Sequence, residues 1–118
     1  MPETTADGYG FLNKQKFKAG FAADTSNKFG SFLRGSRVPV SMAAIGARVT
    51  KAAWKVKPSW LVLAKENGAI DPKLLRRMAR RIGANTMESK GSHVVFLTPP
   101  KAVANVIKKA AIGAMSAN

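Results

Sequence analysis

Residues 58–83, PSWLVLAKENGAIDPKLLRRMARRIG, contain the clearest secondary-structure pattern in the chain. Residues 60–64 form an unbroken apolar run. Pro58 precedes the run, and the turn-forming pair Asn67 and Gly68 follows it. A short apolar run between turn signals is typical of a strand that is covered on both faces. The pattern therefore predicts a buried strand over residues 60–64.

The part of this stretch after the turn predicts an amphipathic helix over residues 72–82. Asp71 lies directly before Pro72, a pair that suits an N-cap and the first turn of a helix, and Gly83 suits its end. One side of the helix is apolar and the other is basic. The apolar positions are Leu74, Leu75, Met78, Ala79 and Ile82, and the basic positions are Lys73, Arg76, Arg77, Arg80 and Arg81.

A second strand and a second helix complete the predicted C-terminal unit. Residues 84–88 are the predicted strand, and PPKAVANVIKKAAIGA at residues 99–114 has another apolar stripe at helical spacing. The order strand, helix, strand, helix implies an α/β fold with two parallel strands and a right-handed crossover. Because two strands seldom form a stable sheet alone, we expect this unit to be part of a larger fold.

The N-terminal half predicts shorter and more broken structure. Residues 1–10 read as a flexible lead-in. Short helices are predicted over residues 14–23, with Asn13 as N-cap, over 26–33 and over 39–45, and a single turn is predicted from Thr50 to Trp54. The predicted division of the chain is therefore a lead-in at 1–10, a helical region at 11–53 and an α/β region at 54–114.

Composition excludes several classes of protein. The 118 residues are 46% hydrophobic, enough for one packed domain, and they include no cysteine and one histidine. Disulfides, thiolate chemistry and a zinc site with several Cys or His ligands are therefore excluded. The first ten residues do not resemble a signal peptide, and no apolar window is long enough to span a membrane. We expect a cytoplasmic protein.

The strong positive charge leaves polyanionic partners open. Twenty Lys and Arg against six Asp and Glu give a formal net charge of +14, which attracts nucleic acid, anionic lipid and acidic proteins alike. The single tyrosine argues against a platform for stacking bases. The arginine pairs 76–77 and 80–81 are candidates for an anion-binding face, although an ordinary solvated helix surface explains them as well.

His93, the only histidine of the 118 residues, is a candidate catalytic base and lies in the segment GSHVVFLTPP at residues 91–100. Considered alone, it is either a general base or a solvated loop residue. Phe17 and Phe21, four residues apart, could line an acyl pocket or simply pack a helix. Trp54 and Trp60 are expected to pack in the core or at strand ends.

The order of these signals resembles that of a known family. KAAWKVKPSWLVLAKENGAIDPKLLRRMARRIGA at 51–84 and GSHVVFLTPPKAVANVIKKAA at 91–111 resemble the C-terminal part of α/β-hydrolase-fold proteins of the small esterase and hydroxynitrile-lyase-like group. GFLNKQKFKAGFAADTSNKF at 10–29 and VPVSMAAIGA at 38–47 resemble the end of that group's cap region. The similarity covers about residues 9–112, roughly half of a usual hydrolase of this kind. It implies a partial α/β-hydrolase fold preceded by short cap-like helices.

The resemblance also implies functional roles. In this family the acid follows the penultimate strand and the histidine follows the last one. His93 matches the histidine and would be the general base. Asn67 falls where the family has aspartate, so the orienting residue carries no charge here and could select the wrong tautomer of the imidazole. The same exchange of Asp for Asn in the triad of a serine protease lowers turnover by about 10⁴. Glu66 or Asp71 could replace Asn67 only if the loop shifts.

The nucleophile elbow of the family, G-x-S-x-G, does not occur in the 118 residues. Ser41, Ser59, Ser89 and Ser92 lie in unsuitable surroundings. The resemblance thus implies an acyl hydrolase with a small ester substrate, no cofactor and no metal. The chain would be inactive unless a complementary N-terminal half supplies the serine or a second copy of the chain supplies a nucleophile. Two alternatives remain. The chain is a degenerate hydrolase without activity, which would self-associate through an exposed strand edge, or it is a non-catalytic module that binds nucleic acid or other anionic partners.

Overall fold

The computed structural model describes residues 2–116, which form five α-helices and two small sheets. The elements in chain order are β1 (Pro2–Thr4), β2 (Tyr9–Leu12), α1 (Phe17–Phe21), α2 (Asn27–Gly35), β3 (Val40–Ser41), α3 (Met42–Gly46), a 3-10 turn (Ala53–Lys55), β4 (Trp60–Ala64), α4 (Pro72–Ile82), β5 (Asn85–Ser89) and α5 (Pro100–Met115). The chain is therefore a mixed α/β protein.

The C-terminal unit contains the predicted pair of parallel strands. β4 pairs with β5 from Trp60 opposite Asn85 to Ala64 opposite Ser89. α4 connects them: the Asp71 carboxylate accepts the Lys73 N–H at 2.8 Å, and the helix ends at Gly83, whose φ of 62° is in the left-handed region. The prediction of a strand, an Asp-capped helix and a parallel strand is confirmed.

The segment predicted as a lead-in, residues 1–10, contains strands that the sequence did not predict. Antiparallel pairing joins β1 to β2, and β3 adds to the other edge of β2. The hairpin turns at Asp7 and Gly8, where Gly8 has a φ of 84° and donates its N–H to the Thr5 carbonyl. Met1, the first residue of that predicted lead-in, lies outside the described residues.

The three N-terminal helices occur near their predicted positions but differ in extent. α1 is shorter than predicted because the Asn13 amide oxygen accepts the N–H groups of Gln15 and Lys16, both at 3.0 Å, in a separate turn before the helix. α2 begins after Ser26, whose hydroxyl accepts the Phe29 N–H at 3.1 Å. The helix predicted over 39–45 starts later, since Val40 is paired with Gly10 in the sheet.

The buried core is small, and part of the predicted apolar face of α4 is not covered. The buried apolar residues of the described chain are Phe17, Ala22, Leu63, Ala64, Ala79, Val94, Val95 and Val106. In contrast, Leu74 and Met78 on α4 stay 38% and 52% exposed, so the prediction that this whole face packs in the core is wrong. α5 packs on β4 by placing Gly113 against the Trp60 ring.

The surface is large for the size of the chain. It measures 8807 Å² for 12.6 kDa, whereas a compact monomer of this mass exposes about 6,200 Å². The radius of gyration is 16.2 Å, against about 13.5 Å for a compact domain of this length. No helix within residues 2–116 has the length and apolar character that crossing a membrane requires.

Candidate functional site

The candidate site lies where the two parallel strands end. The carboxyl ends of β4 and β5 lead into two loops, residues 65–71 and 90–99. Backbone hydrogen bonds join these loops: Lys65 donates its N–H to the Ser89 carbonyl at 2.9 Å, and Glu66 donates to Gly91 at 3.1 Å. Parallel pairing thus brings together two segments that are about 25 residues apart in sequence.

Asn67 and His93 meet in this site. The Asn67 Oδ1 atom is 3.2 Å from Nδ1 of the imidazole. The same oxygen accepts the backbone N–H groups of Ala69 and Ile70, both at 3.0 Å. The turn that follows β4 therefore fixes the amide in front of the histidine ring.

A close backbone approach holds this turn against α1. A Cβ atom added to Gly68 would lie 2.8 Å from the carbonyl oxygen of Gly20 and 3.3 Å from that of Ala19. Gly68 does not have a positive φ. The Asn67 and Gly68 pair, a turn signal in the sequence, needs its glycine because two backbones touch there.

The environment of His93 favours its neutral form. The ring is half-buried, with its centroid 4.3 Å from that of Phe21. The Arg37 guanidinium lies over the Phe21 ring, 4.8 Å from its centroid. Burial, and secondly the positive charge of Arg37, lower the pKa of His93 below its ordinary value of 6.5. The imidazole is therefore available as a proton acceptor at neutral pH.

Asp24 anchors the histidine loop from the N-terminal half, a role that the sequence analysis missed. Its Oδ2 atom accepts the Ser92 N–H at 3.0 Å and the Thr98 hydroxyl at 2.8 Å. Burial raises the pKa of Asp24, but hydrogen bonds from Ser92 and Thr98 outweigh it, and the net pKa lies below the ordinary 3.8. The contact spans about 70 residues, so no local pattern signals it.

A cleft of about 480 Å³ opens between α1 and the Asn67 turn. Phe17 and Phe21 both line it, as the acyl-pocket hypothesis requires, but they also stack on each other at 5.1 Å, as ordinary helix packing requires. His93 does not line the cleft, but Phe21 both lines the cleft and contacts the His93 ring. The other lining residues are Leu12, Asn13, Lys16, Ala19, Gly20, Gly68 and Ala69.

The alternative acids have other surroundings. Asp71 caps α4. Glu66 lines a separate depression with Asp24 and Thr98, among others. Of the three candidates for the acid position in this loop, Asn67 alone is hydrogen-bonded to His93 within the described residues.

Three of the four serines considered as nucleophiles use their hydroxyls in local hydrogen bonds. Ser92 is buried, and its hydroxyl accepts the Val94 N–H at 3.3 Å. Ser41 caps α3, and the Ser89 hydroxyl donates to the Lys90 carbonyl at 3.3 Å. The carbonyl of Ser59 accepts the N–H of Asn85. None of these contacts pairs a serine hydroxyl with the imidazole of His93.

The basic face of α4 is narrower than the two arginine pairs suggest. Arg76 forms a bidentate salt bridge with Glu88 on β5, with N···O distances of 2.6 and 2.7 Å. That hydrogen-bonded pair lowers the pKa of Glu88. The basic residues of α4 that stay exposed are Lys73, Arg77, Arg80 and Arg81.

No protein-family model, curated protein or solved structure matches the chain.

Proposed function

We propose that this chain is the C-terminal part of an α/β-hydrolase-type acyl hydrolase, in which His93 is the general base. The observation that carries the proposal is the 3.2 Å contact between Asn67 and His93 at the carboxyl ends of two parallel strands. Acid position and base follow successive strands in the family order, with a crossover helix between them. The large exposed surface supports the need for a complementary part.

In the proposed reaction a complementary part supplies the serine and the oxyanion hole. Nε2 of His93 takes the hydroxyl proton as the serine oxygen adds to the ester carbonyl. The imidazolium then returns the proton to the leaving alcohol. Water repeats the sequence on the acyl-enzyme and releases the carboxylic acid. Asn67 orients the ring but provides no charge to stabilise the imidazolium, so we expect slower turnover than with a carboxylate.

The first test is hydrolysis of p-nitrophenyl acetate by the purified, folded chain, with His93→Ala and free imidazole at equal concentration. The proposal expects no rate above imidazole from the chain alone. A rate well above imidazole that is lost in His93→Ala would overturn the requirement for an external serine.

The second test is performed on the chain purified from its native cells together with its bound proteins. A fluorophosphonate probe should label a serine on a co-purifying polypeptide, and labelling should fall at least about 10³-fold when the chain carries His93→Ala, as for loss of a triad base. Arg34→Ala, in an exposed residue at the end of α2, is the control. Labelling that is absent, or that does not depend on His93, would contradict the hydrolase proposal.

A second candidate is a non-catalytic module for anionic partners, favoured by the four exposed basic residues of α4 and the net charge of +14. Its signature is binding to DNA of any sequence, with the logarithm of the affinity falling linearly with the logarithm of salt concentration. Binding that is lost in Arg77→Gln/Arg80→Gln/Arg81→Gln but unaffected by His93→Ala would favour this candidate over the hydrolase. Absence of binding at low salt would exclude it for nucleic acid.

A further inference from the structure

We propose that Asn67 is a positioning residue that holds neutral His93 as its Nδ1–H tautomer and leaves Nε2 as the free acceptor. An amide at an acid position could select either tautomer, because it has a donor and an acceptor end. Three contacts of the Asn67 side chain decide between them.

The first step is the orientation of the amide. Two backbone N–H groups, those of Ala69 and Ile70, point at the same side-chain atom of Asn67 from 3.0 Å. An NH₂ group at that position would face two donors and could bond neither. The local turn therefore requires the amide oxygen to be there, as in the turns that Asn commonly forms with its own backbone.

The second step is the protonation of the ring. The oxygen fixed by this turn is also the atom 3.2 Å from Nδ1 of His93. An amide oxygen only accepts hydrogen bonds, so Nδ1 must carry the proton. A neutral imidazole has one N–H, and Nε2 is then unprotonated. The Phe21 ring, at 4.3 Å, limits rotation of the imidazole out of this arrangement.

This inference rests on the proposed function for its purpose, since a general base that acts through Nε2 needs this tautomer. Asn67 would then supply one of the two effects of a carboxylate, the orientation of the ring, without the other, the stabilisation of imidazolium. Ring protonation is nevertheless measured without substrate or partner, so the inference and the hydrolase proposal can fail separately.

The test is a long-range ¹H–¹⁵N correlation spectrum of the imidazole in the uniformly labelled chain. His93 is the only histidine, so its ring signals need no assignment by mutation. At about pH 8 the ring is neutral. We expect Nδ1 to appear as the main protonated nitrogen, with a ratio of Nδ1–H to Nε2–H at least about fivefold higher than in Asn67→Ala, the factor that one ordinary net hydrogen bond produces. Equal populations, or an excess of the Nε2–H form, would overturn the inference.

Three variants separate the amide from the rest of the site. Asn67→Asp keeps an acceptor for both backbone N–H groups and should keep the Nδ1–H form. Asn67→Ala should lose the excess, and Asn85→Ala, an exposed amide bonded to Ser59 instead, should keep it. An excess that persists in folded Asn67→Ala would overturn the inference. If Asn67→Ala does not fold, the Asn67→Asp protein provides the test instead. An Nε2–H form in Asn67→Asp would overturn the inference.

Discussion

The acid–base behaviour of His93 is controlled by side chains from three separate parts of the chain. Phe21 covers one side of the ring, Arg37 adds a positive charge nearby, and Asn67 accepts a hydrogen bond. Burial and the charge both disfavour the imidazolium, and the amide has no charge with which to offset them. The site therefore keeps the imidazole of His93 neutral but supplies no negative charge to stabilise the imidazolium once a proton is bound.

Removing the positive charge of Arg37 should raise the pKa of His93. Arg37→Gln removes the second cause of the lowered pKa and leaves burial as the first. An NMR titration of the imidazole measures the change directly. Arg34→Gln removes an equal charge from the same helix end and serves as the control, for which we expect a smaller rise. Equal effects of the two variants would show that only the overall charge of the protein acts on the ring.

The lowered pKa of His93 also makes stability depend on pH in a defined direction. Between the folded pKa and 6.5 the unfolded chain binds more protons, so stability falls as pH decreases through this interval and is fully retained above it. His93→Gln should remove this loss. Urea unfolding from about pH 7.5 to 5 should give a shallower decline for the variant. Asp24 does not interfere with this test, because its contribution to stability is lost only as the pH falls below its ordinary pKa of 3.8. Parallel declines would refute the prediction.

At the scale of elements, the contact between α1 and the turn after β4 determines where Asn67 lies. Gly68→Ala would place a methyl group 2.8 Å from the Gly20 carbonyl. We expect a loss of about 1–3 kcal/mol in stability, as for overpacked sites, together with a changed His93 ring signal because the backbones must separate.

Gly35→Ala is the matched control for this substitution. Gly35 is the last residue of α2, and a Cβ atom added there would meet no heavy atom within 4 Å outside its own helix backbone and chain neighbours, so alanine should be neutral or stabilise by up to about 1 kcal/mol. Urea unfolding of both variants tests the comparison. A Gly68→Ala protein as stable as the control would show that the two backbones can separate without cost.

Asp24 connects the α1–α2 segment to the histidine loop. Asp24→Ala should cost about 1–3 kcal/mol, because the buried Ser92 N–H loses its acceptor. Asp24→Asn should cost much less, since both bonds end on one oxygen that an amide can reproduce. Chemical unfolding at neutral pH compares the two. Equal losses would mean that the carboxylate charge, and not the acceptor, is what the loop requires.

Elements that depend on local pattern were predictable, and elements that depend on distant contacts were not. The run at 60–64 and the Asp71–Pro72 pair determined β4 and α4. The β1–β2 hairpin was missed although its turn, Asp7 and Gly8, is a recognised hairpin signal, because its strands are too short to show alternation. The role of Asp24 and the orientation of the Asn67 amide exist only after folding brings their partners near.

For the whole molecule, the central observation is how little surface is buried. An unfolded chain of this mass exposes about 18,300 Å², so a folded surface of 8807 Å² buries about half of it, less than the fraction typical of domains half this size. Strand β4 pairs with one neighbour only among the described residues. Large apolar side chains remain exposed, among them Phe32, Met78, Phe96, Ile107 and Ile112.

This surface predicts a shallow unfolding transition for the chain alone. Because the urea m-value scales with the area exposed on unfolding, we expect about four-fifths of the value for a compact domain of this length. Tryptophan fluorescence follows the transition, and repetition at several protein concentrations detects association. A full-size m-value that does not depend on concentration would show that the chain is compact in solution and needs no further cover.

Folding of this chain alone buries only about half of its surface, and this affects how much of the protein a cell retains. A chain whose fold is completed by a partner is open to proteases while it is alone and is protected once bound, since binding depletes the unfolded population that proteases attack. If the proposed complementary part exists, we expect the half-life of the chain, measured by pulse-chase labelling, to lengthen when the two are co-expressed. Copies of the chain made in excess of the proposed complementary part would then be degraded. Degradation would thus set the ratio of the two polypeptides in the cell.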